Sequence, residues 1–335
     1  MKAYNIAVLG ATGAVGREML KVLEEYRIPV NRLLPLASAR SVGENISFHG
    51  QKVPVREAAA ESFVGMDFVL GAVKNNMSRR FAPHIVESGA VYIDNSSAFR
   101  LDPDVPLVVP EINGGDIFQH HGIIANPNCS TIITMMAIAG IAALSPIRSM
   151  IACTYQAVSG AGQQGLHELE MQMRALVRGD TPVPHVFPAQ IALNVIPHIG
   201  DDTENGYTDE EMKMQNEGRR ILHLPELKVN CTCVRVPVMR SHSISVTLHT
   251  SRRISVQEAQ DAIRAYPGCR LIEDCQKRNY PTPLDTGGQD LVWVGRVRED
   301  LTEENGLTLW CCGDQIRKGA ASNAVQILKL LAEQG

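Results

Sequence analysis

The chain has 335 residues, a length that calls for two domains rather than one ordinary core. Its 44% hydrophobic and 20% charged residues give the balance of a globular protein and exclude intrinsic disorder. A formal net charge of −4 leaves no basic field for nucleic acid or an anionic membrane, and pairs such as Arg79-Arg80, Arg219-Arg220 and Arg252-Arg253 read as solvated surface.

Asn5-Ile6-Ala7-Val8-Leu9 reads as a short buried strand and not as a signal peptide, because the apolar run is short and Gly10 ends it. The stretch Gly10-Ala11-Thr12-Gly13-Ala14-Val15-Gly16 follows, and then Met19, Leu20, Val22 and Leu23 recur at helical spacing over residues 17–26. A second strand is predicted at 33–37 and a third at 67–72. A helix then spans 78–88, and further strands lie at 91–94 and 107–109. Strands alternating with helices predict a doubly wound parallel sheet of Rossmann type.

The texture changes after residue 128. A helix is predicted over 129–143, and its apolar stretch 132–144 falls short of the ~20 residues that cross a bilayer, so a cytoplasmic protein is expected. Period-two or β-branched segments at 150–158, 229–238, 243–250, 291–297 and 307–312 interleave with helices at 164–177, 209–222 and 256–265. This predicts an α+β domain on a mixed or antiparallel sheet, suited to dimerisation. The amphipathic segment 322–332 is expected to pack back on the first domain. The expected division is therefore 1–128 plus 313–335 for the cofactor domain and 129–312 for the catalytic domain. Residues 179–206 are rich in Pro, Gly and Asp with little periodicity, and read as a long functional or interface loop to which no site is assigned. There is no internal repeat.

The glycine run has the form G-x-x-G-x-x-G and sits between a predicted strand and a predicted helix. In that context glycines permit a tight turn and a close backbone approach to a pyrophosphate, and the helix N-terminus supplies N–H groups. The second strand ends Leu36-Ala37-Ser38-Ala39-Arg40-Ser41, without the acid that would hold a ribose 2′-hydroxyl. Ser38, Arg40 and Ser41 suit a 2′-phosphate instead, so the expected cofactor is NADP.

Eight cysteines occur, none in the C-x-x-C spacing favoured by zinc or thioredoxin-like chemistry, and no metal site is expected. Most read as small buried hydrophobes. Cys129 differs: in Asn126-Pro127-Asn128-Cys129-Ser130-Thr131 a polar turn delivers a cysteine to the start of an apolar helix, where dipole and free N–H groups favour the thiolate. Such a thiolate is poised to attack a carbonyl carbon, and the same N–H groups suit an oxyanion. Arg235-Val236-Pro237-Val238-Met239-Arg240-Ser241-His242-Ser243 brings His242 to the start of a strand. A Cys–His pair alone also fits a papain-like hydrolase, but the nucleotide loop argues against it.

Taken together, these segments resemble the aspartate-semialdehyde dehydrogenase family over nearly the whole chain. The resemblance also rests on Asp94-Asn95-Ser96-Ser97-Ala98-Phe99-Arg100, Gln156-Ala157-Val158-Ser159-Gly160-Ala161-Gly162 and Glu210-Glu211-Met212-Lys213. It implies reversible conversion of L-4-aspartyl phosphate and NADPH to L-aspartate 4-semialdehyde, NADP and phosphate, in lysine, methionine and threonine synthesis. It further implies Cys129 as the thioester-forming nucleophile, His242 as general acid/base and Gln156 as the group orienting the acyl. Arg235 would hold the substrate α-carboxylate, Glu210 the α-ammonium, and Arg100, Lys213 and Asn128 the phosphate. Gly10, Thr12, Gly13, Ala14 and Val15, with Ser38, Arg40 and Ser41, would bind the cofactor, and Ser159, Gly160 and Gln315 would lie on its nicotinamide side.

One departure is Gly71-Ala72-Val73-Lys74-Asn75-Asn76, where the family's pattern suggests a Ser-Ala-Gly type turn. The rivals are a sibling N-acetyl-glutamyl-phosphate reductase, disfavoured by Glu210, and an inactive paralogue kept as a binding partner, disfavoured by the retained Cys129, His242, Arg100 and Arg235. A glyceraldehyde-3-phosphate dehydrogenase is disfavoured by the missing acid after the second strand. A homodimer or homotetramer is expected, since symmetric homo-oligomers predominate.

Overall fold

The structure is a computed structural model and describes residues 2–274 and 277–334. Cys275, and the outermost Met1 and Gly335 of the expected cofactor domain, lie outside these. The chain divides into two compact units, Met1–Asn128 with Ala320–Gly335, and Cys129–Gly319.

The first unit holds a six-stranded sheet. Its strands run in the order Arg56–Glu57, Val30–Ala37, Tyr4–Leu9, Phe68–Gly71, Val91–Asp94 and Ile123–Ala125, every pairing parallel. A parallel sheet covered on both faces needs strands apolar on both faces, and Tyr4–Leu9 is buried along almost its whole length. Successive side chains serve opposite cores. Ile6 and Val8 pack with Met19, Leu23, Leu70 and Leu328, whereas Ala7 and Leu9 pack with Leu36, Phe63, Phe81 and Tyr92. The last helix, Ser322–Gln334, belongs to the first of these cores, and the Tyr4 hydroxyl donates to the Ala332 carbonyl at 3.0 Å.

Two features of this unit depart from the sequence-based expectation. Residues 107–109 form only an isolated bridge, Leu107 to Ala125, because Pro106 and Pro110 bracket them and Pro110 opens the short helix Pro110–Asn113. The sixth strand is Ile123–Ala125 instead. A hairpin also joins Asn45–Phe48 to Gln51–Pro54 through His49 and Gly50, both at positive φ as a two-residue hairpin turn requires.

The second unit is built on a mixed sheet. Lys228–Arg235 runs parallel to Ile147–Gln156, and His242–Thr250 pairs antiparallel with both Ile147–Gln156 and Gly306–Gly313. Val292–Glu299 continues antiparallel, and Cys269–Leu271 closes the edge in parallel. The helix Cys129–Leu144 is apolar all round and buried from Ser130 to Ile141, as a helix in the middle of a core must be. The expected strands 150–158 and 229–238 end earlier than predicted, at Gln156 and Arg235. The first passes at Ala157 into the 3-10 turn Val158–Ala161, and Pro237 interrupts the second.

Residues 179–206 contain no helix or strand but are firmly anchored. The Glu168 carboxylate on helix Gly162–Arg178 accepts from the backbone N–H groups of His185, Val186 and Phe187. Gln172 Oε1 on the same helix accepts from those of Ile191 and Ala192. Among the described residues no helix is long and apolar enough to cross a membrane.

Candidate active site

The parallel pair places Gln156 and Arg235 side by side as register partners at the carboxyl ends of their strands. The antiparallel neighbour begins with His242, so three predicted site residues converge at one end of the sheet. Cys129, first residue of the buried helix, faces the same end: its Sγ lies 3.5 Å from His242 Nε2. Cys129 is half-buried, whereas Cys231, Cys233, Cys311 and Cys312 are buried. Burial pushes the Cys153 and Cys311 thiols up, and that of Cys312 to about 11. Cys153 and Cys269 are half-buried as well, but among the described cysteines Cys129 alone opens a helix. Gly319 is required beside it, since a Cβ there would come 2.9 Å from Cys129 Cβ.

His242 is fully buried, and its ring is set by the peptide unit of Ala157. The Ala157 N–H donates to His242 Nδ1 at 3.0 Å, and the Ala157 carbonyl accepts from Arg235 Nη1 at 2.7 Å. One residue's backbone thus orients both groups. Burial first, and then the neighbouring Arg235 charge, hold the imidazole well below its usual value. Burial likewise pulls Arg235 down, opposed by Cys129 and Glu210. Gly160 packs against both: a Cβ there would meet Arg235 Nη1 at 2.7 Å and the His242 ring at 3.4 Å.

A second group of polar residues adjoins Gln156. Its amide donates to Glu210 Oε1 at 3.1 Å, and Lys213 donates to Glu210 Oε2 at 3.1 Å and to Asp209 at 2.8 Å. Burial opposes the Lys213 charge, but Glu210 and Asp209 outweigh it and raise the ammonium above its usual value. These residues are presented by helix Asp209–Ile221, which starts with a capping box between Thr208 and Glu211. On the other side, Gln315 donates to the Ser159 hydroxyl and accepts from the Ser241 N–H at 2.8 Å. Ser241 is buried in the left-handed region, φ 78°, immediately before His242.

Sequence reasoning missed several of these supports. Residues 179–206 were assigned no site, yet the Phe187 ring lies 5.8 Å under the Arg235 guanidinium. Ile196 exchanges backbone hydrogen bonds with Arg235 at 2.8 and 2.9 Å. Ala157 acts through main-chain atoms, which leave no signature in sequence. Gly319 and the buried Asp314, which accepts from Arg240 and the Gly288 N–H, carry no recognisable motif either.

The first unit carries the remaining predicted residues. Gly10, at φ 88°, turns the chain after the first strand, and a Cβ there would collide with the Ala72 carbonyl at 2.3 Å. Gly16 is equally obligatory, since its Cβ would meet Gly10 O at 2.2 Å. Gly13 caps helix Ala14–Glu25, whose first turn has no intrahelical partners for its N–H groups. This backbone cradle fits a dinucleotide pyrophosphate. After the second strand, Ser38 precedes the 3-10 turn Ala39–Ser41, with Arg40 exposed and the Ser41 hydroxyl 3.4 Å from that of Thr12. In the atypical segment 71–76, Ala72 lies against Gly10, Lys74 is the N-cap residue of helix Asn75–Glu87, and Asn75 and Asn76 form its first turn. Arg100 is buried and braces the chain toward Asn128, donating to the carbonyls of Asn126 at 2.9 Å and Asn95 at 2.7 Å.

A family model for the semialdehyde dehydrogenase NAD binding domain matches residues 5–120, and one for the semialdehyde dehydrogenase dimerisation domain matches 138–318. An aspartate-semialdehyde dehydrogenase of Synechocystis sp. is 47% identical over 331 residues, 99% of this chain and 98% of the relative. The chain belongs to the aspartate-semialdehyde dehydrogenase family. Another family member, from Aquifex aeolicus, is 46% identical with 99% of each chain covered. Aspartate semialdehyde dehydrogenase II of Vibrio cholerae, solved as a complex with ASA, superposes with a TM-score of 0.96 at 42% identity, again over 99% of each chain. The parallel and mixed sheets are those of this family.

Proposed function

We propose that the protein is an NADP-dependent aspartate-semialdehyde dehydrogenase, interconverting L-4-aspartyl phosphate and L-aspartate 4-semialdehyde through a thioester on Cys129. The observation that carries this reading is the half-buried Cys129 thiol at a helix N-terminus, 3.5 Å from His242 Nε2. The Cys129 thiolate attacks the acyl carbon and phosphate leaves. Helix N–H groups and His242 face the oxygen of the tetrahedral species, with His242 as its acid/base group. Gln156, fixed by Glu210, orients the acyl group. Arg235 takes the substrate α-carboxylate in a bidentate contact. Glu210 takes the α-ammonium, which favours aspartate over an N-acylated substrate. Arg100, Lys213 and Asn128 receive the departing phosphate.

Gly10, Thr12, Gly13, Ala14 and Val15 hold the dinucleotide, with Ser38, Arg40 and Ser41 on a 2′-phosphate. Ser159, Gly160 and Gln315 bound its nicotinamide side, and when bound this cofactor supplies or accepts the hydride. We place the enzyme in the cytoplasm, as a homodimer or homotetramer, serving lysine, diaminopimelate, methionine and threonine synthesis.

The decisive assay follows cofactor reduction with aspartate semialdehyde. Turnover is expected to require inorganic phosphate, to prefer NADP over NAD, and to ignore N-acetyl-glutamate semialdehyde. Cys129→Ala should lose turnover and keep NADP binding. Phosphate-independent turnover, or an active Cys129→Ala enzyme, refutes the covalent route.

A further inference from the structure

Cys129 and His242 approach each other from separate segments, and one fully buried side chain is tied to both. Asp314 follows the strand Gly306–Gly313 and divides its two carboxylate oxygens between them. Oδ2 accepts from Arg240 Nε at 2.5 Å and from the Gly288 N–H at 2.6 Å. Arg240 lies two residues before His242. Thr286, two residues before Gly288, is buried and pairs its hydroxyl with that of Ser241. Oδ1 accepts from the Ile316 N–H at 2.8 Å and the Arg317 N–H at 3.1 Å, and the Asp314 carbonyl from the Gly319 N–H at 3.0 Å. These bonds close residues 314–319 into the turn that sets Gly319 against Cys129. Asp290 fastens the same turn through a two-point contact with Arg317, Nε at 2.8 Å and Nη2 at 3.0 Å.

Register shows why the histidine needs such a tie. His242 pairs with Gly313, the residue before Asp314, so the sheet ladder fixes the chain from His242 onward. Arg240 and Ser241 precede the strand, and Ser241 stands at φ 78°, a conformation that a residue with a side chain keeps only where its surroundings enforce it. Asp314 on Arg240, and Gln315 on the Ser241 N–H at 2.8 Å, supply that enforcement. A buried carboxylate suits the task, since hydrogen bonds to a charged acceptor are roughly twice as strong as neutral ones.

We infer that Asp314 is the positioning residue of the Cys129–His242 pair. Its Oδ2 holds the segment that delivers His242, its Oδ1 holds the turn that backs Cys129, and the 3.5 Å contact between Nε2 and Sγ is set by both. The inference rests on the function proposed above, in which that contact carries the proton exchange of His242. Asp314 acts through Arg240 and Gly319, not on substrate. Two substitutions separate its ties. Asp314→Asn keeps a single acceptor oxygen, so whichever way the amide turns, one set of donors faces an NH2 group. Arg240→Ala cuts the tie on the His242 side alone, and the Arg240 side chain is 34% exposed, so this variant is expected to fold.

The test uses the intact enzyme and two readouts. In both variants kcat for aspartate semialdehyde oxidation should fall by about 10²-fold, the scale of a ~1 Å misplacement. KM should stay near wild type, because Arg235 and Glu210, the proposed substrate contacts, are carried by other elements. The second readout is the rate of Cys129 alkylation by iodoacetamide against pH, followed by peptide mass spectrometry. Its midpoint should rise in both variants, because a thiol whose proton acceptor recedes ionises less readily. If Asp314→Asn does not fold, Arg240→Ala reads the His242 side by itself. In an enzyme that turns over aspartate semialdehyde, either readout at its wild-type value in Arg240→Ala overturns the inference. A loss that falls on KM instead of kcat does the same. A wild-type enzyme without that turnover removes the proposed function, and the alkylation midpoint, which needs no substrate, then decides the positioning role alone.

Discussion

At the scale of single residues, the site is governed by contacts too short to admit another atom. Gly160 is the clearest case, because a methyl group there would stand 2.7 Å from Arg235 Nη1 and 3.4 Å from the His242 ring. Both partners are buried and tied to Ala157, so neither can retreat without breaking a hydrogen bond. Gly160→Ala is therefore expected to displace the guanidinium by some tenths of an ångström or more. A misplacement approaching 1 Å can reduce rates by about 10²-fold. Steady-state kinetics should show kcat/KM for aspartate semialdehyde falling by about that factor in a protein that melts near the wild-type temperature. Unchanged kinetics would mean that Arg235 is not held where substrate needs it. Cys129 was legible from its place at a helix start and His242 from its place at a strand start, whereas Gln156 and Arg235 were legible only through the family resemblance. The sequence could not reveal Ala157, whose contribution is an N–H and a carbonyl that every non-proline residue possesses.

At the scale of elements, the long segment 179–206 shows how order arises without helix or strand. Its N–H groups at 185–187 converge on one carboxylate, Glu168, and those at 191–192 on Gln172. Phe187, at the anchored point, then lies beneath Arg235. Glu168→Ala removes the shared acceptor, and with several donors affected a loss of about 2 kcal/mol is expected. For a unit of this size that lowers the melting temperature by roughly 4–8 °C. It should also open residues 179–206 to trypsin and raise KM for aspartate semialdehyde. Glu168→Gln keeps one acceptor oxygen and should fall between the two. Protease resistance equal to wild type in Glu168→Ala would show that other contacts hold the segment. The helices were legible from their apolar spacing, and the structure adds caps such as the Thr208–Glu211 box that starts Asp209–Ile221. The segment was legible only as irregular, because its anchors sit on a neighbouring helix and look like ordinary polar positions. Residues 107–109 misled for the opposite reason: three apolar residues resemble a strand, but the flanking prolines decide their geometry.

At the scale of the whole molecule, exposed apolar side chains fall unevenly. Among the described residues, the second unit carries Ile151, Tyr155, Met171, Met173, Val177, Val183 and Val186 at the surface, whereas the first shows Val42, Val64, Leu101 and Phe118. Ile151 and Tyr155 point the same way from one strand, since they are four residues apart and side chains alternate with period two. The Tyr155 ring also packs 5.5 Å from Trp310. A sheet face that is apolar at Ile151, 53% exposed, is disfavoured in water and is the kind of patch that associates. It lies in the stretch matched by the family's dimerisation domain, and an isologous pairing would bury it twice over. Sedimentation velocity should therefore give a mass of at least two chains, and the melting temperature should rise with protein concentration as assembly stabilises the folded state. Ile151→Glu sets two like charges in the paired face. It should lower the sedimenting mass at micromolar concentration and abolish the concentration dependence, while the far-ultraviolet circular dichroism stays unchanged. A wild-type chain that sediments as a monomer would refute the association itself, whereas an Ile151→Glu variant that associates as before would place the contact elsewhere on this unit.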